Sequence, residues 1–203
     1  CSSSPRCSKC RYGYYLPWPH TYPDASLGNM LAKFFAGKEV VDLGAGVGQY
    51  GQYFKEVASR NAALGLLPVT YRGYDGADNV DLFTHGFLEW IDLSWEANIE
   101  PGDWVMSFEV GEHIPREFEG EFIRNLHKCN KEGIVLSWAH PGQGGFHHIN
   151  NRKREYLRDE FEKLGYYEDV EESQRLRSAA TFHWFKTNLI VLRRESHNRP
   201  ESS

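Results

Sequence analysis

The sequence has few cysteines, no long apolar run and no excess of basic residues. Four cysteines in 203 residues are too few for a disulfide-stapled scaffold. No apolar run approaches the ~18 residues that a membrane-spanning helix needs. The formal net charge of -5 is opposite in sign to that of a typical nucleic-acid-binding protein. With 40% hydrophobic and 14% aromatic residues the chain can bury a sizeable core, so we expect a soluble globular protein of one domain.

Three of the four cysteines lie at the start of the chain. Cys7 and Cys10 have C-x-x-C spacing, but no second pair of cysteines or histidines follows at the spacing of a zinc site. A local disulfide or plain thiols are therefore favoured over structural zinc. The sequence begins with Cys1 rather than methionine, which leaves a signal peptide, an anchor and the choice between cytoplasm and secretory lumen open.

Composition divides the chain into three parts. Residues 1–26 contain prolines and serines without a sustained hydrophobic period, which is typical of an N-terminal arm. Residues 27–195 alternate short apolar strands with helical stretches, and residues 196–203 form a polar tail. The alternation predicts an α/β fold, a single Rossmann-like, doubly wound sheet with helices on both faces.

Hydrophobic periodicity gives the expected elements of this fold. Amphipathic helices are predicted at 27–35, 117–129 and 152–164, and another helix follows the glycine cluster near residue 50. Seven strands are expected, at 39–43, 69–74, 87–93, 104–108, 133–138, 166–172 and 188–194.

An acid followed by alternating glycines comes directly after the first strand. The segment DLGAGVGQ, residues 42–49, lets the backbone turn tightly and approach a ligand beside a helix N-terminus. A dinucleotide site would show G-x-G-x-x-G with an acid ≈ 20 residues further on. Here Gln49 breaks that spacing, and Asp75 at the end of the second strand lies twenty-nine residues after Gly46.

On these residues the chain resembles the class I S-adenosylmethionine-dependent methyltransferases, over roughly residues 27–194. The resemblance implies S-adenosylmethionine as cofactor and a sheet ending in an antiparallel hairpin, which fits the two closing strands. The alternative for Asp42 and Asp75 is a helix cap or a turn. The implied cofactor-binding residues are Asp42, Gly44, Gly46 and Gly48 at the methionine moiety, Asp75 and Gly76 at the ribose, Asp92 and Leu93 near the adenine, and Glu109 from the next motif.

A second motif, EVGEH at residues 109–113, follows the fourth strand immediately. Its loop belongs to the carboxyl edge of the sheet, where open α/β folds bind ligands. Many methyltransferases carry E-x-x-E-H here only to shape the site. The motif is also similar to that of the small-RNA 3′-end 2′-O-methyltransferases and the ubiquinone-pathway O-methyltransferases, in which the two acids and the histidine hold a divalent cation.

A further histidine is available in the glycine-rich loop after the fifth strand. His148 falls where the RNA enzymes have their second metal-binding histidine, and His147 is its competitor. A mixed carboxylate and imidazole set suits Mg²⁺, Mn²⁺ or Fe²⁺. The predicted metal ligands are Glu109, Glu112, His113 and His148, and the predicted catalytic residues are Glu112, His113 and His148.

These features predict a metal-assisted O-methyltransferase acting on a hydroxyl of a sugar or other small polyol, because vicinal hydroxyls can chelate an ion. RNA is disfavoured because the chain is acidic overall and shows no RNA-binding domain, although residues 152–154 beside Phe146 and residues 183–186 could form a basic groove. The acidic stretch at residues 75–121, with thirteen acids and one base, can attract a cation. The candidates to stack on sugar rings are Trp18, Tyr22, Trp138 and Trp184. The alternatives are metal-independent methylation of a nitrogen or carboxylate, methylation of an RNA ribose, and a non-catalytic partner with the same fold. The oligomeric state stays open.

Overall fold

The structure, a computed structural model, describes residues 22–195. Most of the predicted arm, the whole predicted tail and the C-x-x-C cysteines therefore lie outside the described residues. The first helix, Ala25–Phe34, has Asp24 as its N-cap: the Asp24 side chain accepts a hydrogen bond from the N–H of Leu27 at 3.1 Å. The predicted domain boundary at residue 27 consequently lies inside this helix. Within the described range, no helix combines the length and the apolar character needed to cross a membrane.

Strands and helices alternate along the described residues. The strands are β1 (Glu39–Leu43), β2 (Thr70–Asp75), β3 (Leu88–Trp90), β4 (Gly102–Phe108), β5 (Asn130–Ser137), β6 (Tyr166–Glu168) and β7 (Ile190–Arg194). The α-helices are α1 (Ala25–Phe34), α2 (Gln49–Ala62), α3 (Val80–Phe83), α4 (Glu119–Lys128), α5 (Arg154–Glu162), α6 (Val170–Ala179) and α7 (His183–Asn188). Two short 3₁₀ turns, Gly111–His113 and Arg116–Phe118, lie between β4 and α4.

The seven strands form one sheet in the order β3-β2-β1-β4-β5-β7-β6. Strands β1 to β5 are mutually parallel, and β7 runs antiparallel between β5 and β6. The strand order reverses between β1 and β4, and ligands bind at such a point in open α/β sheets. The predicted doubly wound, seven-stranded α/β sheet is confirmed, and the loops after β1 and β4 are neighbours at its carboxyl edge.

Helices cover both faces of the sheet. Successive side chains of β4 point to opposite faces, so this strand contributes to the core on each side. Val105 packs with Phe122 of α4 and Phe161 of α5. Trp104 and Met106 join the other core, with residues of α1, α2, α6 and α7. Continuous apolar strands of this kind are typical of a parallel sheet covered on both faces.

The predicted strand at 166–172 is too long. Strand β6 ends at Glu168, and residues 170–172 belong to α6. Asp169 begins this helix, since its side chain accepts a hydrogen bond from the N–H of Glu172 at 3.0 Å, the arrangement of a helix N-cap.

The predicted strand at 188–194 begins later than expected, at Ile190, because residues 183–188 form α7. The antiparallel pairing of the last two strands is confirmed, with Tyr166 opposite Arg194. Two helices rather than a tight turn connect them, so the pair is not a simple hairpin. Helices α3, α6 and α7 are absent from the sequence-based prediction.

Candidate active site and metal centre

The loop between β1 and α2 is folded against the end of β2. The N–H groups of Gly44 and Ala45 both donate to the carbonyl of Tyr74, at 2.9 Å. Gly44 has a φ of +84°, and a Cβ atom there would lie 2.3 Å from Cγ2 of Val110. A glycine is required here because the loop turns left-handed and passes directly against the loop after β4. The two sequence motifs are therefore in contact at one edge of the sheet.

Asp75 ends β2 and holds the glycine loop. Its Oδ2 accepts a hydrogen bond from the N–H of Gly46 at 2.7 Å, and its Oδ1 accepts one from Ala77 at 2.8 Å. Burial raises the pKa of Asp75 to about 6, and the two N–H groups partly offset this rise. The carbonyl of Gly76 accepts a hydrogen bond from Nε1 of Trp90 at 3.2 Å. The residues assigned to the ribose thus lie against those assigned to the methionine moiety.

Asp42 lies within β1 and is 4% exposed. Its Oδ2 accepts a hydrogen bond from the hydroxyl of Tyr71 at 2.7 Å. Burial raises the pKa of Asp42 to about 7; the Tyr71 hydrogen bond opposes the rise and the charge of Asp75 adds to it. Gly48 and Asn79 occupy the N-cap positions of the following helices, so neither acid caps a helix.

Asp92 and Leu93 follow β3 and lie beside β2. The N–H of Ile91 donates to the carbonyl of Asp75 at 3.0 Å, and Oδ1 of Asp92 accepts a hydrogen bond from Ser94 at 2.9 Å. Leu93 is 5% exposed, and its side chain packs in the core. The segment is close to Asp75, but Leu93 offers a ligand its backbone rather than its side chain.

Glu112, His113 and His148 form a compact group at the carboxyl edge. One ligand atom of each lies within 4.8 Å of the others, and Oε1 of Glu112 is 4.0 Å from Nε2 of His148. Glu112 is fully buried, and neither of its carboxyl oxygens makes a well-formed hydrogen bond. The N–H groups of Glu112 and Ala139 and the carboxyl group of Glu109 lie near them. Burial, reinforced by the charge of Glu109, raises the pKa of Glu112 well above the usual range. Such a group fits a bound cation, which would satisfy both orphaned oxygens.

The two histidines are oriented by backbone carbonyls of their own loop. Nδ1 of His113 is 3.2 Å from the carbonyl of His147, and Nδ1 of His148 is 3.2 Å from that of Gln143. A carbonyl only accepts hydrogen bonds, so Nδ1 of each ring is the donor, and Nε2 is the nitrogen of each ring that could ligate a metal. Burial, and then the neighbouring His148, lowers the pKa of His113 to about 4. His147, the predicted competitor, is exposed and supplies its carbonyl to this arrangement.

Glu109, the first acid of the motif, is held at the side of this group. Its Oε2 accepts a hydrogen bond from Nε2 of Gln143 at 2.8 Å, and its Oε1 accepts one from Nδ2 of Asn188 at 3.3 Å. The structure brings together three of the four predicted ligands and places the fourth beside them. Gln143 and Asn188 are absent from the sequence-based site; the glycines around Gln143 are the only sequence signal of its loop.

The loop that carries His148 is anchored by a buried polar network. Glu119 is 5% exposed, and its carboxylate accepts hydrogen bonds from Asn150 at 2.7 Å, Arg152 at 2.6 Å and Tyr156 at 2.5 Å. Arg152 is thus committed to an ion pair with Glu119, which removes it from the basic groove that the sequence offers. The network fixes the segment that directly follows His148 in the chain.

Of the aromatic residues predicted near the substrate, one is buried in the core and another is exposed. Trp138 is 1% exposed and its Nε1 donates to the carbonyl of Asn150 at 2.6 Å, so it is a core residue and does not stack on a sugar. Phe146 is 70% exposed at the tip of the loop. A cavity of about 680 Å³, lined among others by Lys131 and Arg193, lies at the amino edge of the parallel strands and is not part of this site.

No protein-family model matches the chain, and no curated protein sequence is significantly similar to it. Solved structures share its fold. Magnesium protoporphyrin IX methyltransferase from Synechocystis PCC 6803, with bound SAH, has a TM-score of 0.57 and 16% identity over 85% of this chain and 81% of that chain. A SAM-dependent methyltransferase from Aquifex aeolicus has a TM-score of 0.54 and 12% identity over 88% of this chain and 93% of that chain.

The fold is also found in a protein of another reaction class. The [4+2]-cyclase SpnF has a TM-score of 0.54 and 11% identity over 90% of this chain and 86% of that chain. At these identities the likeness establishes the fold alone: the chain has the fold of the class I SAM-dependent methyltransferases. The function has to be argued from the site.

Proposed function

We propose that this protein is an S-adenosylmethionine-dependent O-methyltransferase that acts, with a divalent cation, on a hydroxyl of a sugar or other small polyol. The observation that carries the proposal is Glu112. A fully buried carboxyl group whose two oxygens make no well-formed hydrogen bond is costly unless a ligand satisfies it. It lies beside two oriented imidazoles, at the sheet edge that holds the glycine loop.

The glycine loop and the acids around it are the proposed cofactor site. Asp75 hydrogen-bonds the backbone of this loop at 2.7 Å, and each of its oxygens keeps a second lone pair with which to accept from a ribose hydroxyl. Asp42 lies on the neighbouring strand. When bound, the cofactor supplies a methyl group activated by its sulfonium.

Glu112, His113 and His148 would hold the cation, with Glu109 as the adjacent fourth residue. One carboxylate and two imidazoles suit Mn²⁺ or Fe²⁺, and Mg²⁺ with more retained waters. Histidine ligands typically donate their other ring N–H to a carbonyl or carboxylate, as both histidines do here. The cation would lower the pKa of a hydroxyl that binds to it.

The low pKa of His113 favours metal assistance over a histidine base acting alone. As the acceptor oxygen attacks the methyl carbon and the sulfur–carbon bond breaks, the hydroxyl proton must pass to a base. A hydroxyl of pKa ~15.7 lies about 12 units above His113, whose pKa is about 4, or roughly 16 kcal/mol for complete proton transfer. Concerted transfer needs less than complete deprotonation, because the hydroxyl becomes more acidic as its oxygen bonds to the methyl carbon, and a bound cation would lower its pKa further.

A small polyol suits the site better than RNA. Even with Glu109 as a fourth protein ligand, a six-coordinate cation keeps two positions at which vicinal hydroxyls can bind together. The exposed ring of Phe146 offers a sugar a flat apolar surface. RNA would need a basic groove, yet Arg152 is paired with Glu119. A small-molecule or glycan acceptor is therefore proposed.

The test is calorimetric titration of S-adenosylhomocysteine and of Mn²⁺ into the protein, with EDTA in a parallel series. We expect micromolar binding of S-adenosylhomocysteine with and without EDTA, and a separate heat for Mn²⁺. Glu112→Ala should abolish the Mn²⁺ heat and leave S-adenosylhomocysteine binding intact. Glu117→Ala is the matched control, because it removes the same charge from an exposed position in the same segment.

Each alternative predicts a different result. Binding of S-adenosylhomocysteine without any Mn²⁺ heat favours metal-independent methylation of a nitrogen or carboxylate. Absence of binding in both series removes the methyltransferase assignment and leaves only the fold. With both ligands bound, a panel of sugars, polyols and RNA 3′ ends assayed for methyl transfer identifies the acceptor class.

A further inference from the structure

The carboxylate of Glu109 is held by two side-chain amides that come from distant parts of the chain. Gln143 lies in the loop after β5 and donates to Oε2 at 2.8 Å. Asn188 ends α7 and donates to Oε1 at 3.3 Å. The two amides are also joined to each other, since Nδ2 of Asn188 donates to Oε1 of Gln143 at 2.7 Å. Three segments of the carboxyl edge thus meet at one carboxylate.

The direction of each hydrogen bond in this group is fixed by chemistry. A carboxylate only accepts, so both amides must present their NH₂ groups to Glu109. Oδ1 of Asn188 faces the other way and accepts from the hydroxyl of Thr187 at 3.1 Å. Asn188 itself is buried, with 4% of its surface exposed, so its amide is oriented by these side-chain partners rather than by solvent. The amides are therefore built to hold an anion at this position.

We propose that Gln143 and Asn188 are positioning residues that hold the Glu109 carboxylate beside Glu112 for a divalent cation. This inference rests on the proposed function of the site. Each oxygen of Glu109 accepts one amide bond and keeps a second lone pair. The clamp is thus compatible with metal binding and restricts how far the carboxylate can turn away from the group formed by Glu112, His113 and His148.

Gln143 also contacts His148, through its backbone. Its backbone carbonyl is 3.2 Å from Nδ1 of His148 and accepts a hydrogen bond from Nδ2 of Asn151 at 2.9 Å. One residue therefore orients a carboxylate through its side chain and an imidazole through its backbone. Substitution of Gln143 removes the first contact and keeps the second, which allows the side-chain contribution to be measured alone.

The test is a double-mutant cycle read by Mn²⁺ titration. Gln143→Met keeps the length of the side chain without a hydrogen-bond donor, and Glu109→Ala removes the carboxylate. We expect Gln143→Met to weaken Mn²⁺ binding by about tenfold or more, as loss of a residue that orients a ligand typically does. In the Glu109→Ala background the same change should weaken it by no more than about twofold, because Gln143 acts through Glu109. Gln174→Met, on the surface of α6, is the control.

The outcomes separate this inference from the function on which it rests. Equal losses from Gln143→Met in both backgrounds, or no loss in either, overturn the positioning role while the cation site stands. Absence of a Mn²⁺ heat in the wild-type protein overturns the cation site itself. Titration of S-adenosylhomocysteine into Gln143→Met and Gln174→Met should give the wild-type affinity within about twofold, which shows that the fold is retained. Glu109 is itself an implied cofactor-binding residue, so retention of the fold in the Glu109→Ala background is measured by its free energy of unfolding.

Discussion

The backbone N–H of Asn150 donates to the backbone carbonyl of Glu112 at 3.0 Å. The N–H of Ile149 donates to the same carbonyl at 2.9 Å. The loop after β5 is therefore fastened to the residue whose side chain faces its histidine. This explains how a glycine-rich loop, whose backbone is intrinsically mobile, can hold His148 at a fixed place beside a buried carboxyl group.

Gly145→Ala should displace His148 and weaken cation binding. A Cβ atom at Gly145 would lie 2.0 Å from Nε2 of His148, a distance at which the imidazole must move. We expect Mn²⁺ affinity, measured by calorimetry, to fall by at least about tenfold, while S-adenosylhomocysteine binding stays unchanged.

Gly144→Ala is the matched control for this substitution. It lies one residue away, and a Cβ atom there meets no heavy atom within 4 Å. Wild-type Mn²⁺ affinity in both variants would contradict the placement of His148 in the cation site. An equal fall in both would indicate that the loop tolerates no added side chain.

Asp75→Ala should abolish cofactor binding and spare the cation. The substitution removes the proposed ribose acceptor and also the hydrogen bond that holds the N–H of Gly46. Two hydrogen bonds to a charged group contribute about 3 kcal/mol or more, so S-adenosylhomocysteine affinity should fall at least about a hundredfold. Mn²⁺ affinity should change little.

The exposed neighbour Asp78 provides the control for charge. Asp78→Ala removes the same charge three residues further along the chain and should leave S-adenosylhomocysteine affinity within about twofold of the wild type. A wild-type affinity in Asp75→Ala would be incompatible with the cofactor site as assigned.

The positions that could be predicted from the sequence are those that directly follow strands of a parallel sheet. Asp75 and the motif at residues 109–113 come after short apolar runs, and the carboxyl ends of such strands meet at one edge. The glycine spacing then located the loop between β1 and α2. Each of these features is a local pattern in the sequence, so the order of the strands and the positions of the motifs along the chain are enough to locate this part of the site.

The hydrophobic period of the sequence does not reveal helix α6, because the buried face of this helix is largely polar. Ser173 and Arg177 are buried together with Leu176, so the apolar period of a helix is interrupted. Their polar groups bond the chain around β7: the N–H of Val191 donates to Oγ of Ser173, and Arg177 donates to the carbonyl of Leu189, both at 2.8 Å. Only the tertiary contact makes these residues suitable for the interior.

The roles of Gln143 and Asn188 likewise depend on tertiary contacts and could not be predicted from the sequence. Neither belongs to a motif, and their contact with Glu109 depends on where α7 ends relative to the loop after β5. Asp169, with Glu172 three residues later, is a local sequence signal for the start of α6 that the predicted strand at 166–172 overlooked.

Glu119→Ala should destabilise the protein and loosen the histidine loop. The change leaves Asn150 and Tyr156 without their acceptor and Arg152 without its ion pair. Loss of one partner from such a buried network typically costs about 3 kcal/mol, which chemical denaturation would detect as a lower free energy of unfolding. Mn²⁺ affinity should fall as well.

Glu121→Ala separates this network from a surface ion pair. Glu121 pairs with Arg124 on the surface of α4, where an ion pair contributes about 0–1 kcal/mol. If the two variants lose the same free energy of unfolding, Glu119 is not the anchor of the loop.

Asp42→Asn should remove a pH dependence of stability. Burial raises the pKa of Asp42 from 3.8 to about 7 in the folded protein, so the folded state binds this proton more tightly than the unfolded state. The unfolding free energy of the wild type therefore falls as the pH rises through this window, by up to about 1.4 kcal/mol per pH unit from this group. Asparagine keeps an oxygen for the hydroxyl of Tyr71 and has no proton to lose.

The measurement is urea denaturation of both proteins at intervals from pH 4.5 to 7.5. The wild type should lose stability relative to Asp42→Asn as the pH rises, whatever the histidines contribute, because their titration is common to both proteins. Asp78→Asn, on an exposed side chain, should follow the wild type in parallel. A constant difference between the wild type and Asp42→Asn across the range would show that Asp42 keeps an ordinary pKa despite its burial.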